Sequence, residues 1–317
     1  MGLQADMNTL LRGIDLDVEQ KINAKMKEFH NTLDDTLKSV DEKIIAGVEL
    51  KIEYETKKTN LKGIKHHKFP ELLATAGQRI PVMLVGQAGT GKTYAGEQVA
   101  KALGLDFYAI SVGSQTSKTD IVGYMNATGE YVTTAFRKAY EKGGVFVMDE
   151  IDAGNSNVTI QLNSALSSDF CSFPDKMVRK HKDFIFIATA NTFGHGASRE
   201  YVGRNQLDAA TLDRFVTIEW QLDESLEKKL VSVYKQGERW LKVVRAVREY
   251  ADKNGLRVLI TPRASIHGAR LLEQNMKPTF VVSATLLGSA PEKSFEDIQQ
   301  VALQAWTEGV DDDISEK

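Results

Sequence analysis

The residues Gly86, Gln87, Ala88, Gly89, Thr90, Gly91, Lys92 and Thr93 form an uninterrupted phosphate-binding loop, and the apolar run Pro81-Val-Met-Leu-Val85 feeds directly into it. Glycines let successive backbone N–H groups turn inward around a β-phosphate. Lys92 then reaches the β and γ oxygens, and the Thr93 hydroxyl is placed to ligate Mg²⁺. The helix expected from about Lys92 to Leu103 points its positive end at the same anion. A glycine-rich turn with no ligand is the competing reading, but a buried-type strand before the loop and an amphipathic helix after it supply the context the motif needs. The chemistry implied is binding of a nucleoside triphosphate with its Mg²⁺.

A second constellation ends the run Gly144-Val-Phe-Val-Met-Asp149-Glu150. Asp149 would reach the Mg²⁺, usually through a coordinated water, and Glu150 would polarise the water that attacks the γ-phosphate. Alone, an Asp-Glu pair after a strand reads as a helix cap; beside a phosphate-binding loop the catalytic reading prevails. The run Phe184 to Thr192 ends in Asn191, which suits the attacking water or the γ-phosphate, although asparagine at a strand end is also a common turn former. Farther on, Arg214 stands just before an apolar segment. Its planar, permanently charged fork suits a transition-state phosphate, and the bland alternative is an ion pair with Asp213 or Asp208.

These residues need a scaffold, and the pattern from Pro70 onward supplies one by alternating short apolar runs with helical segments. Strands are expected at Val82 to Val85, Asp106 to Ser111, Gly144 to Met148, Phe184 to Thr189 and Phe215 to Trp220. Such a βα alternation argues for a parallel sheet with helices on both faces. Between Asp120 and Thr133, alternating apolar positions around Asn-Ala-Thr-Gly mark an inserted hairpin. After Leu222 the pattern turns helical, with segments at 224–236, 240–253, 262–275 and 295–309, and Thr261-Pro262 suits a helix cap and first position. The expected domains are an N-terminal region over 1–68, a nucleotide-binding core over 69–222, and a helical lid with a tail over 223–317.

The N-terminal region carries apolar residues at steps of three and four from Leu10 to Val48. This stripe predicts one or two long amphipathic helices up to about residue 60, either for self-association or for packing on the chain itself. Lys62-Gly-Ile-Lys-His-His-Lys68 reads as a short basic linker whose histidines are solvated rather than metal-bound. A net charge of -3 gives no global basic field, so any nucleic-acid contact must be local. The single cysteine, Cys171, excludes an intramolecular disulfide, no run is long enough to span a bilayer, and no secretory signal opens the chain. A cytoplasmic protein without membrane contact is the expectation.

The order of these motifs resembles the AAA+ ATPases over about residues 70 to 290. Asp149-Glu-Ile-Asp-Ala-Gly154, Ala188-Thr-Ala-Asn-Thr192 and the inserted hairpin are similar to the clade of MoxR proteins, CbbQ-type activases and the CobS subunit of cobaltochelatase, with dynein-related and McrB-type motors as more distant members. The resemblance implies an α/β P-loop NTPase fold with a helical lid, ATP and Mg²⁺ as cofactors, and a homo-oligomeric ring, commonly a hexamer. It makes Asn191 the first sensor, Arg214 the arginine finger acting on a neighbouring subunit, and Arg263 the second sensor from the lid. Arg204 and Arg199 are candidates for a further contact in trans. Chelatase and MoxR relatives act with a von Willebrand A-type protein, and this chain has no such domain.

Three functions follow as expectations. The first is a ring-forming ATPase that remodels a protein partner, with the hairpin near Tyr124 and Tyr131 gripping the substrate. The second is a nucleic-acid motor, for which Lys176-Met-Val-Arg179-Lys180-His181-Lys182 is the obvious basic cluster in the core. The third is a nucleotide-dependent assembly scaffold.

Overall fold

The computed structural model describes residues 51–54, 57–60, 64–197, 201–288 and 290–315. The expected N-terminal helices lie, up to residue 50, outside the described residues. Beyond that point the helical expectation is corrected: Lys51–Tyr54 (β1) and Lys57–Asn60 (β2) are strands paired in a two-stranded sheet. The alternation of Ile52, Tyr54 and Thr56 with charged Lys51, Glu53 and Glu55 is a period-two pattern of β-favouring residues, and it overrides the helical stripe upstream.

Phe69–Gly77 (α1) precedes Val82–Val85 (β3), and the phosphate loop leads from β3 into Lys92–Leu103 (α2). Then come Phe107–Ser111 (β4), Lys118–Val122 (α3), a hairpin of Tyr124–Met125 (β5) and Tyr131–Val132 (β6), Ala135–Lys142 (α4) and Gly144–Asp149 (β7). Ser156–Ser167 (α5) leads into a second hairpin, Phe170–Ser172 (β8) with Met177–Arg179 (β9). Phe184–Ala190 (β10), the short helix Ala209–Leu212 (α6) and Val216–Glu219 (β11) complete the core.

Five strands form one parallel sheet in the order β11-β3-β10-β7-β4. The three inner strands are almost unbroken apolar runs because both of their faces are covered, whereas edge strand β4 alternates exposed and half-buried residues. On one face Met83, Phe146, Met148 and Phe186 pack with Phe136 and Tyr140 of α4. Ring pairs Phe136–Phe146 at 5.2 Å and Tyr140–Phe184 at 5.1 Å join helix to sheet edge-on. On the other face α2 lies so close that a Cβ on Gly96 would come within 2.4 Å of Val147. The α/β, P-loop NTPase fold expected from the motifs is thus the fold observed.

The lid comprises Glu224–Val231 (α7), Gly237–Lys253 (α8), Pro262–Glu273 (α9), Pro278–Leu286 (α10) and Phe295–Ser315 (α11). Helix α10 escapes sequence reading because four of its nine residues are β-branched, although Pro278 marks its first turn. The expected helix over 224–236 stops at Val231, and Gly237 opens α8 three residues before Trp240. Buried Glu227 takes both terminal nitrogens of Arg248, at 2.8 and 3.2 Å, and the Ser265 hydroxyl at 2.6 Å. Removing one member would leave a buried charge uncompensated, so this pair welds α7, α8 and α9 together. Among the described residues no helix is long and apolar enough to cross a membrane.

Trp240 anchors the lid core: it is fully buried, and its indole donates to the Ala264 carbonyl at 3.0 Å. A Cβ on Gly268 would stand 2.1 Å from the indole nitrogen. Gly268→Val should therefore destabilise the chain by about 2 kcal/mol or more through overpacking, measured by denaturant unfolding; unchanged stability would contradict this helix–indole contact.

Candidate active site

Strand register brings the site together. Val85 pairs with Ala190, Ala188 with Met148, and Asp149 with Ser111, so the carboxyl ends of four strands are level. The phosphate loop, Asp149 and Asn191 all leave the sheet at that edge, where open α/β sheets bind ligands. The loop keeps its inward turn through left-handed Gly89 and Gly91, at φ 80° and 87°. Trp220 steadies it by donating to the Thr90 carbonyl at 3.2 Å, and lid residue Thr261 packs where a Cβ on Gly89 would fall.

Lys92 Nζ donates to the Gly86 carbonyl at 2.6 Å, the Gln87 carbonyl at 2.8 Å and Asn191 Oδ1 at 2.9 Å. Burial lowers its pKa to about 8, against the opposing pull of Asp149, Asp152 and Glu150. Asn191 Nδ2 is buried with no hydrogen-bond partner. A row of inward amides, a cation satisfied only by neutral oxygens and an orphaned N–H donor fit a triphosphate. Thr93 donates to Asp149 Oδ2 at 2.9 Å, and Asp149 Oδ1 accepts from the Thr189 hydroxyl. This hydroxyl–carboxylate pair offers the hard oxygen donors that Mg²⁺ takes.

Glu150 is held in a left-handed backbone at φ 57°, its N–H donating to Thr189 Oγ1 at 3.1 Å. For a residue with a β-carbon this conformation is uncommon, and it turns the carboxylate away from the course of β7. Asp152 is fully buried and accepts from the amides of Asn191 and Thr192 at 3.1 and 2.9 Å and from the Thr192 hydroxyl at 2.9 Å. Arg204 lies 3.4 Å from Glu150 Oε2 and 3.3 Å from Asp152 Oδ1. Arg204, a candidate for a contact in trans, is thus paired within its own chain; Arg199 lies outside the described residues.

Beside the loop a cavity of about 500 Å³ opens toward the lid, walled by His66, Tyr94, Trp220, Leu226, Leu230 and Ile266. An apolar pocket next to a phosphate loop suits a nucleobase. The supposed linker is part of this wall: His66 is buried, meets the Gln221 carbonyl at 2.9 Å and stacks on Trp220 with ring centres 4.0 Å apart. Burial pushes its pKa down. The ligand atoms of His66, His67 and Asp223 lie within 4.8 Å of one another. Hydrogen bonds account for them without a metal, since His66 Nδ1 accepts from the Lys68 amide and Asp223 accepts from the amides of His67 and Leu226.

Arg214 is elsewhere. Val216 pairs with Val82 at the amino end of β3, four residues and roughly 13 Å along the strand from the loop. The Arg214 guanidinium donates to Ser167 Oγ at 2.6 Å and to the Ala210 carbonyl, and no ion pair joins it to Asp208 or Asp213 among the described residues. Arg263 is exposed at the second position of α9, whose cap is Thr261, as Thr261-Pro262 predicts. Sequence reading missed Thr189, Asp152, Tyr201 and Trp220. Of these only Asp152 left a signal, a charge between Ile151 and Ala153 directly after the Asp149-Glu150 pair. Because Lys92 loses its proton as pH rises through about 8, nucleotide should bind more weakly at pH 9 than at pH 7 and should take up a proton at the higher pH. Calorimetry in buffers of different ionisation enthalpy checks this, and heats independent of buffer would contradict it.

Residues 81–215 match the AAA domain family, dynein-related subfamily. The chain is 32% identical over 155 residues to the aerobic cobaltochelatase subunit CobS of a Sinorhizobium species, a match covering 45% of this chain and 47% of that one. It is also 32% identical over 154 residues to the Lon protease of Lachnoclostridium phytofermentans, covering 44% of this chain and 19% of that protein. The chain thus spans about half of the first relative and about a fifth of the second. A RuvB variant of Thermotoga maritima aligns over 75% of this chain and 67% of its own at 19% identity, with a TM-score of 0.44. Sheet order and loop geometry agree with that match: residues 81–215 carry a P-loop core similar to the AAA domains of the dynein-related subfamily.

Proposed function

We propose that the chain works as a ring of identical subunits that couples ATP hydrolysis to remodelling of a protein partner. The observation that carries this reading is the separation of Arg214 from its own phosphate loop, at opposite ends of the sheet. A half-buried arginine that cannot serve its own nucleotide suits the nucleotide of a neighbour, and hydrolysis then depends on assembly. Lys92 and the loop amides hold the phosphates, and Asn191 Nδ2 orients the γ-phosphate or the attacking water. Glu150 takes the water proton as the water oxygen bonds to the γ-phosphorus and the bond to the β-phosphate oxygen breaks. Thr93 and Asp149 would hold Mg²⁺, which neutralises charge that develops on the phosphate oxygens. Arg263, exposed at the start of α9, would meet the same phosphates from the lid.

Two hairpins suit the delivery of motion to a partner. Buried Arg137 of α4 pairs with Asp175 of the second hairpin at 2.8 Å, lies over Phe173 at 4.5 Å, and faces the Tyr131 ring of the first hairpin at 5.1 Å. Both hairpins are therefore tied to one arginine. Tyr131 is not available to grip a substrate, because its hydroxyl donates to the Val122 carbonyl. Exposed Tyr124 and Met125, with Phe170 and Met177 on the second hairpin, are the surfaces left for a polypeptide. Partners of the basic segment weigh against the nucleic-acid reading: Lys176 meets Glu141, Lys180 meets Asp169, and Arg179 faces the Phe170 ring.

Glu150→Gln should retain ATP binding and lose turnover by about 100-fold or more, followed by phosphate release; undiminished release would remove Glu150 as the base. The trans role of Arg214 has a sharper check. Arg214→Ala and Glu150→Gln should each be nearly inactive, and mixing them should restore a measurable share of activity, since some interfaces then pair an intact Glu150 with an intact Arg214. No recovery in mixed rings of verified composition would reject action in trans.

A further inference from the structure

The turn after β10 sends two side chains into the site from the same chain. Tyr201 Oη accepts a 2.9 Å hydrogen bond from the Ala88 amide, so a phenol oxygen stands at one of the donors of the phosphate loop. Three residues on, Arg204 faces the Tyr201 ring at 5.8 Å and bridges Glu150 and Asp152. Asn205 pins the turn, its amide donating to the Asp152 carbonyl at 2.7 Å and its side chain to the Gly154 carbonyl at 2.9 Å. One short turn, anchored on the segment just after Glu150, therefore touches both the phosphate loop and the catalytic base.

Resting on the ATPase reading above, we propose that Tyr201 and Arg204 are positioning residues of the hydrolytic reaction: Tyr201 competes with nucleotide phosphate for the Ala88 amide, and Arg204 carries that exchange to the Glu150 carboxylate. An ionised phosphate oxygen is a stronger acceptor than a neutral phenol, so nucleotide takes the amide and Tyr201 yields. Arg204 does not follow freely. Asp152 has no exposure, and a carboxylate buried to that degree holds its cation. The Glu150 side chain is 42% exposed and loses little when the guanidinium shifts away. The asymmetry makes Asp152 the pivot and Glu150 the moving end, so the base is released for water as the phosphates arrive.

Titration of the full chain with a fluorescent ATP analogue tests this. Tyr201→Phe keeps the ring beside Arg204 and removes the competing oxygen, and the Kd should fall about threefold to tenfold, the size of one neutral hydrogen bond. Val202→Ala, at an exposed residue of the same turn, should leave the Kd unchanged. Arg204→Lys keeps a charge for Asp152 but lacks the fork that spans two carboxylates; kcat should fall about tenfold or more with the Kd nearly constant. An arginine that only neutralised Asp152 would be rescued by lysine. Equal or weaker binding by Tyr201→Phe overturns the competition, and full turnover by Arg204→Lys overturns the positioning role. A wild-type chain that binds no nucleotide overturns the ATPase reading and this inference with it.

Discussion

A carboxylate with no access to water must find donors inside the protein, and Asp152 finds them on two separate segments. The amides of Asn191 and Thr192 come from the end of β10, the Thr192 hydroxyl adds a third bond, and Arg204 supplies the counter-charge from the turn beyond. Leaving any of these unmade would cost the desolvation of a buried charge, of the order of several kcal/mol. The bonds therefore fix the distance between the Glu150 turn and the Asn191 turn. The proposed hydrolysis needs that distance held, because Glu150 and the Asn191 side chain would act on one water molecule between them.

The same constraint explains why the residue after Asp149 leaves β7 in a left-handed conformation. Continuing as strand would send Glu150 to the covered face of the sheet, whereas a left-handed turn feeds the short 3₁₀ segment Ile151–Ala153 and drops Asp152 beneath Asn191. Thr189 compensates by accepting the Glu150 amide and donating to Asp149. Strain at one residue is thus offset by a hydroxyl from the neighbouring strand, which also orients the Asp149 carboxylate. A preorganised pair of this kind needs no large rearrangement when charge develops on the phosphate.

Much of this was legible in the sequence for a physical reason. Parallel strands covered on both faces must be continuous apolar runs, so Val82–Val85, Val145–Met148 and Phe184–Ala188 declare themselves, and chemistry at their carboxyl ends follows from the polar residues that terminate them. Contacts between distant segments do not. Nothing local to Lys65-His-His67 distinguishes a solvated linker from the wall of a cavity; Trp220, more than 150 residues on, makes the difference. The second hairpin hid in the same way, since Phe170–Ser172 and Met177–Arg179 are too short to carry a period and their charges read as a basic cluster. Arg204 was visible as a cation, but its direction depends on Asp152, whose burial only the fold reveals.

The lid gains its mechanical sense from how little of it touches the loop. Thr261 packs against Gly89 at the start of α9, and the Trp220 indole holds the Thr90 carbonyl at the point where the core hands over to the lid. Behind these contacts the Glu227–Arg248 pair and the Ser265 hydroxyl lock α7, α8 and α9 to one another, and Arg248 Nε also donates to the Ile260 carbonyl beside Thr261. Helices fastened by a buried ion pair do not bend individually, since each would have to abandon a paired charge. A shift of the phosphate loop by a fraction of an ångström against Thr261 must then be taken up by the lid as a whole.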